Sequence, residues 1–335
     1  MPVHTARSAR LVIDETSAPE REDDFANDVR AGLTARPKRL APKYFYDALG
    51  SHLFEAICHL PEYYLTRAET EILTRYSAEI VQQVTGSVNL ANLVELGSGS
   101  AVKSRYLIRA LLESQSHLHY QPIDISASML ADSSAALLSE FPGLRITAVA
   151  GDYTHGLNLI QRQPGDRVLV LFLGSNIGNY DPAESRALIG SVRAGIQHGD
   201  ALLLGADLKK SAGVLEAAYD DSLGVTAAFN LNLLVRINRE LDGKFDVSRF
   251  AHRAFYNALQ GRIEIHLESL VEQDVEIGAL GLSIPFAEGE TIHTENSYKY
   301  DESGLRELAS DTGFSIARSW FDARGQFSCN LWLAV

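Results

Sequence analysis

The sequence predicts an α/β protein built on a doubly wound, Rossmann-like parallel sheet. Short apolar runs alternate with helix-like stretches between residues 92 and 208, and this alternation is typical of βαβ units. The run 167–174 is apolar on both faces, as expected of a strand at the centre of such a sheet. Near the end of the chain, two further strands around the turn 322–325 indicate an antiparallel hairpin at the sheet edge.

Each element of this sheet follows from its local pattern. Helices are expected at 127–139 and 182–197, and another places Tyr106, Leu107, Ala110 and Leu111 on one face. The pattern breaks after residue 209, where a helical part (215–235) and alternating segments such as 262–268 predict a second, α+β domain. Strands are expected at 92–97, 120–126, 144–152, 167–174, 200–208, 314–320 and 327–335.

These elements predict two domains and a leader. The first domain is expected to comprise 67–209 and 299–335, and the second 26–66 and 210–298. Residues 1–25 are polar and mixed in character, so we expect them to form a loose leader. The sheet domain would thus be interrupted by an insertion that packs with the N-terminal segment.

Composition excludes several classes of protein. A formal net charge of −13 repels phosphate backbones, so nucleic acid is not expected as a partner. Cys58 and Cys329 lie far apart without metal-ligand spacing, so we expect no disulfide framework, no metal and a reducing cytoplasm. The chain has no signal-peptide pattern and no run of about 18 apolar residues, so no membrane contact is expected. We expect a monomer that acts on a small molecule.

A glycine-containing loop follows the first predicted strand and opens a helix. Gly97 and Gly99 allow a sharp turn and close approach of a ligand, and amides at the helix start favour an anion. Asp124 ends the second strand, where a carboxylate can bind a ribose diol. Asp152 ends the third strand and could accept a hydrogen bond from an adenine amino group. A glycine pair alone also fits a plain tight turn, but the three strand ends together predict a nucleoside cofactor.

The loop favours S-adenosylmethionine over a dinucleotide as this cofactor. A dinucleotide site would have a third glycine at position 102, which is Val102 here. Lys103 follows and is expected to pair with the methionine carboxylate; a solvated helix lysine is the alternative.

Six stretches of the chain carry a resemblance to a known family. Leu60-Pro-Glu-Tyr-Tyr64 and Phe172-Leu-Gly-Ser-Asn-Ile-Gly-Asn179 are its most specific motifs. With them the chain resembles the histidine Nα-methyltransferases of ergothioneine biosynthesis, from about Asp28 to the C-terminus. The full set of matching stretches is 42–47, 60–69, 94–99, 172–179, 218–221 with 224–226, and 294–297.

The resemblance implies a class I methyltransferase sheet that binds S-adenosylmethionine and a second domain that binds histidine. It implies up to three methyl transfers to the α-amino group, which yield hercynine. A polar oxygen of Tyr46, Tyr63 or Asn179 could relay the proton from the amine, and Tyr46 and Asn179 are the candidate catalytic residues. The implied cofactor residues are Gly97, Lys103, Asp124, Asp152 and Tyr153, and the implied substrate residues are Phe54, Tyr63, Asn179, Tyr219, Ile265, Glu295 and Ser297.

The residues themselves are compatible with these roles. Asn179 is expected at the end of the fourth strand, at the mouth of the sheet. Glu295 can accept an N–H from imidazole while Ser297 serves the other ring nitrogen. Residues two apart lie on one face of a strand, although a solvated strand face would show the same spacing. The aromatic faces of Tyr46, Phe54 and Tyr219 suit a methylated ammonium.

Two departures from the family pattern leave specificity open. Ile265 stands where the family often has methionine, and Asn176 stands where it has threonine. An enzyme of the same fold acting on another amine, such as tryptophan, is one alternative, and a non-catalytic binding protein is another. The pair Glu295 and Ser297 favours imidazole over indole, because indole has one N–H and no acceptor.

Overall fold

The structure is a computed structural model that describes residues 10–14, 22–85, 90–163 and 165–335. The chain divides into two compact units. The first contains residues 10–14, 67–208 and 300–335, and the second contains residues 22–66 and 209–299. Among the described residues, no helix has both the length and the apolar character that crossing a membrane requires.

The helices and strands are numbered along the chain. The helices are α1 Glu22–Thr34, α2 Ala48–Cys58, α3 Leu65–Thr85, α4 Ser104–Ser114, α5 Ala127–Glu140, α6 Tyr153–Asn158, α7 Pro182–Gly195, α8 Ala212–Tyr219, α9 Val225–Leu241 and α10 Glu302–Asp311. The strands are β1 Leu11–Asp14, β2 Lys38–Arg39, β3 Leu90–Leu96, β4 Leu118–Asp124, β5 Leu144–Ala150, β6 Arg167–Phe172, β7 Ala201–Asp207, β8 Phe250–Asn257, β9 Arg262–Ser269, β10 Gln273–Ile277, β11 Leu282–Phe286, β12 Thr291–Tyr298, β13 Phe314–Phe321 and β14 Phe327–Ala334.

The first unit is organised by one sheet of order β1-β5-β4-β3-β6-β7-β14-β13. The strands from β1 to β7 pair in parallel, with Leu93 of β3 opposite Tyr120 of β4 and Leu169 of β6. Strand β14 is antiparallel to both β7 and β13. This confirms the predicted doubly wound α/β fold and its antiparallel C-terminal hairpin.

The core of this unit explains the apolar strands. Val170 and Phe172 of β6 are fully buried, as are Leu169 and Leu171, which alternate with them. A strand buried on both faces must be apolar at every position. The hairpin contributes Trp332, which is fully buried in the same core.

The predicted loose leader is wrong where the structure describes it. Residues 11–14 form β1, which lies parallel to β5 with Leu11 opposite Ile146. The Arg10 guanidinium donates to the carbonyl oxygens of Leu138 (3.0 Å) and Pro142 (2.9 Å), at the end of α5. Helix α1 then begins at Glu22. A four-residue strand gives little local signal, and its partner edge on β5 is visible only in the folded chain. The remainder of 1–25 lies outside the described residues.

The second unit combines a sheet of order β2-β12-β9-β8 with a β10-β11 hairpin and helices. The single helical part predicted at 215–235 is instead two helices, α8 and α9. The chain leaves the helical conformation between Tyr219 and Val225. The Asp221 carboxylate then stabilises the start of α9 by accepting hydrogen bonds from the amides of Val225 (3.0 Å) and Thr226 (2.7 Å). These are orphan amides at the start of a helix, which side-chain oxygens commonly satisfy.

Candidate functional site

The glycine loop of the first unit is closely packed by side chains from other loops. Gly97 has a φ of +70°, and its amide donates to the carbonyl of Ile123 (2.8 Å). A Cβ at this position would lie 2.7 Å from Oη of Tyr153 and 3.0 Å from Nδ2 of Asn176. Only glycine combines this backbone conformation with so close an approach. Gly97 of the sequence motif and Tyr153, which only the family resemblance indicated, are therefore in direct contact.

Asp124 fixes the shape of the same loop. Its Oδ2 accepts from the amide of Gly99 and its Oδ1 from the amide of Ser126, both at 2.9 Å. Burial raises the pKa of its carboxyl group, while these amides act in the opposite direction. The carbonyl of Asp124 accepts from the amide of Gly151 (2.9 Å), which links the ends of β4 and β5. A carboxylate has about four acceptor directions, so these two bonds leave capacity for ligand hydroxyls.

Asp152 and Tyr153 follow β5 and begin α6. The exposed Asp152 caps this helix, because its Oδ1 accepts from the amide of His155 (2.8 Å). The Tyr153 ring meets Phe172 edge-on at 5.7 Å between centroids. Burial raises the pKa of Tyr153 above its usual value, so its phenol stays protonated.

Lys103 has a protein partner that the sequence analysis did not identify. Its ammonium pairs with Glu69 of α3 at 2.5 Å, and the Glu69 side chain is fully buried. Both Glu69 oxygens also accept from the amide of Gly174 at 2.9 Å. A Cβ on Gly205 would lie 2.1 Å from Oε1 of Glu69, so that glycine makes room for the carboxylate. Two features of the sequence could have indicated that Glu69 is buried. It lies in the matching stretch 60–69, and it is three residues before the buried Ile72, on the same face of the helix.

Glu95 is a second buried carboxylate that sequence reasoning did not assign. It lies in β3, two residues before Gly97, and accepts from the hydroxyls of Ser104 (2.5 Å) and Tyr120. Burial raises the pKa of Glu95 to about 7, although both hydroxyls and the charge of Lys103 act in the opposite direction. The glycine loop therefore carries a carboxylate beside it that titrates near neutral pH.

The second unit brings four of the predicted aromatic residues into one cluster. Phe54 of α2 lies edge-on to Tyr46 (5.7 Å between centroids) and to Tyr63 (6.3 Å). Tyr63 in turn lies edge-on to Tyr219 at 6.0 Å. Phe229 of α9 packs against Tyr46 and Phe54 and was not predicted. Together these rings form an aromatic surface suited to a cation.

Asp47 anchors this cluster from the adjacent position in the chain. It caps α2 by accepting from the amide of Gly50 (2.7 Å). It also accepts from Nδ2 of Asn232 (2.8 Å) and from Arg239 (2.7 Å), both on α9. These bonds tie α2 to α9 and so hold Tyr46 in place.

A β-bulge in β12 determines where Glu295 points. Ile292 lies opposite Leu267 of β9, but the register shifts between His293 and Glu295, and Glu295 then lies opposite Ile265. Ser297 lies opposite Ile263. Directly opposed residues share a face of an antiparallel sheet, so Ile292, Glu295 and Ser297 all lie on the face of the buried residues of β9.

Thr294 is the extra residue of this bulge. Its fully buried hydroxyl donates to the carbonyl of Ile265 (3.1 Å). A bulge re-aims the side chains that follow it. Without the bulge, simple alternation from Ile292 would place Glu295 on the opposite face. Ile265, 3% exposed, thus lies directly beside Glu295 across the two strands.

Burial makes Glu295 and Tyr63 of the second unit hold their protons more tightly than usual, because it raises the pKa of both groups. Burial raises the pKa of Glu295 to about 7, and the charge of Lys299 acts in the opposite direction. Burial raises the pKa of Tyr63 well above its usual value, and Tyr219 and Glu295 act in the same direction. The Tyr63 phenol is therefore a hydrogen-bond donor at neutral pH.

Ser297 lies within a hydrogen-bonded group that includes an unpredicted lysine. Its hydroxyl is 2.8 Å from Oη of Tyr219 and 2.8 Å from Nζ of Lys299. Lys299 is only 3% exposed. The structure thus brings two of the predicted substrate residues, Ser297 and Tyr219, into contact, whereas Lys299 lies just beyond the matching stretch 294–297 and was not predicted.

Asn179 does not lie at a strand end, and that expectation is wrong. Strand β6 ends at Phe172, and Asn179 closes a one-turn 3-10 helix, Asn176–Asn179, that follows Gly174 and Ser175. A Cβ on Gly174 would lie 3.1 Å from Nζ of Lys103 and 3.5 Å from Oδ1 of Asn176. Asn176 therefore lies between Gly174 and the glycine loop, where its Nδ2 would lie 3.0 Å from a Cβ on Gly97.

A separate cavity of about 500 Å³ lies at the amino ends of β4 and β5. It is lined in part by basic residues, but Arg10 and Arg162 donate to backbone carbonyls, and Arg162 also pairs with Asp200. Burial lowers the pKa of His119 to about 4, so this ring is neutral. The cavity is on the edge of the sheet opposite Asp124.

The sequence is similar to that of known methyltransferases over nearly its whole length. A sequence profile of the family described as SAM-dependent, histidine-specific methyltransferase matches residues 25–334. The histidine N-alpha-methyltransferase of Mycolicibacterium smegmatis is 44% identical over 94% of this chain and 96% of its own length. The protein of the same name from Mycobacterium tuberculosis is 43% identical, over 91% of this chain and 93% of its own length. An L-tryptophan methyltransferase of Psilocybe serbica is 28% identical over 79% of each chain.

The raised pKa of Glu95 predicts a pH dependence of stability. The unfolded carboxyl has its usual pKa of 4.5 and the folded one about 7, so the native state holds the proton more tightly. This contribution is complete below the unfolded pKa and is lost as pH rises through the folded pKa, by about 3 kcal/mol in total. The free energy of unfolding in urea, measured from pH 5 to 8, should therefore fall less with pH in Glu95→Gln than in the wild type. Glu113→Gln, an exposed change on α4, should keep the wild-type slope; equal slopes in all three proteins would contradict the prediction.

Proposed function

The chain belongs to the SAM-dependent, histidine-specific methyltransferase family, and we propose that it methylates the α-amino nitrogen of L-histidine. The observation that carries this proposal is the bulged strand β12, which places Glu295 and Ser297 on one face, with Tyr219 bonded to Ser297 and Tyr63 adjoining Tyr219. The match over residues 25–334 also confirms the resemblance that the motifs predicted.

We assign the first unit to the cofactor, S-adenosylmethionine. When bound, it supplies an electrophilic methyl group on a sulfonium. The positive φ of Gly97 and of Gly99, together with the open space around Gly99, fits a ligand that approaches the backbone closely. Asp124 accepts hydrogen bonds from the ribose hydroxyls and Asp152 from the adenine amino group. Lys103, whose ammonium has three donors, binds the methionine carboxylate in addition to Glu69.

We assign Glu295, Ser297 and Ile265 of the second unit to the histidine side chain. Glu295 accepts the imidazole N–H, and Ser297 serves the other ring nitrogen. Ile265 packs beside this pair and fills the position with an apolar side chain. It alters the shape of the site without changing its charge, so histidine remains the expected substrate.

The amino acid end of the substrate needs a neutral amine. The Tyr63 phenol stays protonated and so donates to the carboxylate instead of removing a proton. The Asn179 amide can hold the amine with its carbonyl oxygen. Desolvation of the ammonium beside another cation lowers its pKa, and Tyr46 or Asn179 can pass the released proton to water. The rings of Tyr46, Phe54 and Tyr219 stabilise the methylated ammonium.

This assignment favours histidine over tryptophan. Indole presents one N–H and no acceptor, so it would leave one of Glu295 and Ser297 without a partner. A relative in Schizosaccharomyces pombe, 25% identical over 87% of this chain and 38% of its own length, is named ergothioneine biosynthesis protein 1. We therefore place the reaction, which yields hercynine after three transfers, in ergothioneine biosynthesis. Cys58 and Cys329 are free thiols, which suits work in the cytoplasm.

Mass spectrometry of the product tests the proposed reaction. Incubation with L-histidine and S-adenosylmethionine should yield mono-, di- and trimethylated species, with every methyl group on the α-nitrogen. Methylation of a ring nitrogen, or turnover of another amino acid with none of histidine, would refute the proposal.

The cofactor assignment predicts a selective effect of Asp124→Ala. Loss of two charge-assisted hydrogen bonds to the ribose should weaken S-adenosylhomocysteine binding by about 2–4 kcal/mol. Calorimetric titration measures this, with Asp132→Ala, an exposed change on α5, as the control. Asp124→Asn keeps one side-chain acceptor for the loop amides and so separates loss of charge from loss of loop shape. An unchanged affinity in both Asp124 variants would rule out the ribose contact.

The substrate assignment predicts a change of selectivity in Glu295→Ala. The variant should raise the KM for histidine sharply, because a site built to bond a polar ring can discriminate by up to about 10⁴-fold. Tryptophan turnover should gain in relative terms, since the variant adds space and removes a charge. The ratio of kcat/KM for the two amino acids is the measurement, and Glu288→Ala, at an exposed turn of the same unit, is the control. If the ratio in Glu295→Ala equals that of the wild type, Glu295 does not recognise the side chain of the substrate.

A further inference from the structure

Lys299 is a buried cation at the centre of the proposed histidine site. It follows β12 directly, and its amide donates to the carbonyl of Gly261 (2.8 Å). Its Nζ lies 2.8 Å from Oη of Tyr219 and 2.8 Å from Oγ of Ser297. The same Nζ is 4.5 Å from the centroid of the Tyr219 ring. With the 2.8 Å contact of the two hydroxyls, the three groups form a closed triangle.

The protons of this triangle have a restricted arrangement. An ammonium can only donate, so both hydroxyl oxygens accept from Lys299. One hydroxyl must then donate to the other. The phenol is the more acidic of the two and is further polarised by the ammonium, so it is the better donor. Ser297 therefore accepts from both Lys299 and Tyr219, and its own O–H must point elsewhere.

The consequence is a fixed polarity at Ser297. With both lone pairs of its oxygen occupied, Ser297 can give a hydrogen bond to a ligand but cannot receive one. Glu295, on the same strand face, has the opposite polarity when ionised, because a carboxylate only accepts. The two residues thus present one acceptor and one donor to a ring.

We propose that Lys299 is a positioning residue that sets the direction of the Ser297 hydroxyl, so that the site selects a neutral azole ring with one N–H and one unprotonated nitrogen. This inference rests on the proposed function for the identity of the site. A ring without the unprotonated nitrogen leaves the Ser297 proton unpaired. A buried unpaired donor is costly, so such a ring is rejected even when its shape is correct.

Lys299 could instead act only as a counter-charge for Glu295, and two pyrrole analogues of histidine distinguish these roles. β-(Pyrrol-2-yl)alanine and β-(pyrrol-3-yl)alanine each keep one N–H and replace the other ring nitrogen by C–H. A counter-charge affects histidine and its pyrrole analogues alike, because all of them offer Glu295 the same N–H. An oriented Ser297 hydroxyl instead changes the ratio of the dissociation constants of histidine and the pyrrole analogues, because only histidine has an unprotonated ring nitrogen that can accept from it.

The experiment measures dissociation constants by calorimetry in the presence of S-adenosylhomocysteine. The wild type should prefer histidine to the better pyrrole analogue by roughly ten- to a hundredfold. In Lys299→Met the Ser297 hydroxyl can turn towards Tyr219, so this preference should fall by about tenfold. Lys299→Leu, a second replacement that has no donor, should show the same fall. Lys244→Met, at an exposed lysine of the same unit, should keep the wild-type preference.

A double-mutant cycle with Ser297→Ala makes the result independent of stability. Lys299→Met should lower the preference in the wild-type background and leave it unchanged once Ser297 is alanine. A preference that survives in both Lys299 variants, or a wild type that binds the pyrrole analogues as tightly as histidine, would overturn the inference while leaving histidine methylation intact. A wild type that binds no histidine would overturn both. A loss of folded protein alone cannot mimic the effect, because it reduces binding of all the ligands equally.

Discussion

Parallel pairing of β3, β4, β5 and β6 is the constraint on which the cofactor residues depend. Parallel strands bring their carboxyl ends to one edge of a sheet, so Gly97 and Asn176, which are 79 positions apart in the sequence, become neighbours. The amide of Gly97 bonds to the end of β4, the amide of Gly99 bonds to Asp124, and the backbone of Asp124 bonds to Gly151. Tyr153 and Asn176 then pack on the glycine loop from two further strand ends. These contacts depend on the adjacent positions of β5, β4, β3 and β6 in the sheet.

Buried charge is balanced differently in the two units. In the first, Glu69 is neutralised by Lys103 and by the amide of Gly174, so removing any one partner would leave a costly buried group. In the second, Lys299 bonds to two neutral hydroxyls, and the nearby carboxylate of Glu295 keeps a raised pKa. Glu295 can therefore still accept a hydrogen bond from a ligand. Glu69, by contrast, is already bonded to Lys103 and to the amide of Gly174, and so stabilises the loop that contains Gly174.

The bulge at Thr294 shows how one residue converts a strand into a binding surface. Strict alternation would divide Ile292 and Glu295 between opposite faces of the sheet. The extra residue brings both to the face of the buried residues of β9, and the hydroxyl of Thr294 secures the irregular backbone. The same face therefore carries the apolar packing of the unit and the polar groups proposed to read imidazole.

The sequence by itself determined the α/β class, the glycine loop, the strand-end carboxylate Asp124 and the family, because periodicity and contiguous motifs are local properties. It could place Glu295 and Ser297 two apart, but the spacing alone could not show the bulge that orients them. Strand β1 was missed because its only support is an edge distant in sequence, and Asn179 was misplaced because the turn after β6 is irregular. Glu69 and Lys299 emerged only in the tertiary structure. The role of a buried charged side chain depends on the group that it pairs with. That partner lies far away in the sequence or on another element, so only the folded chain shows it.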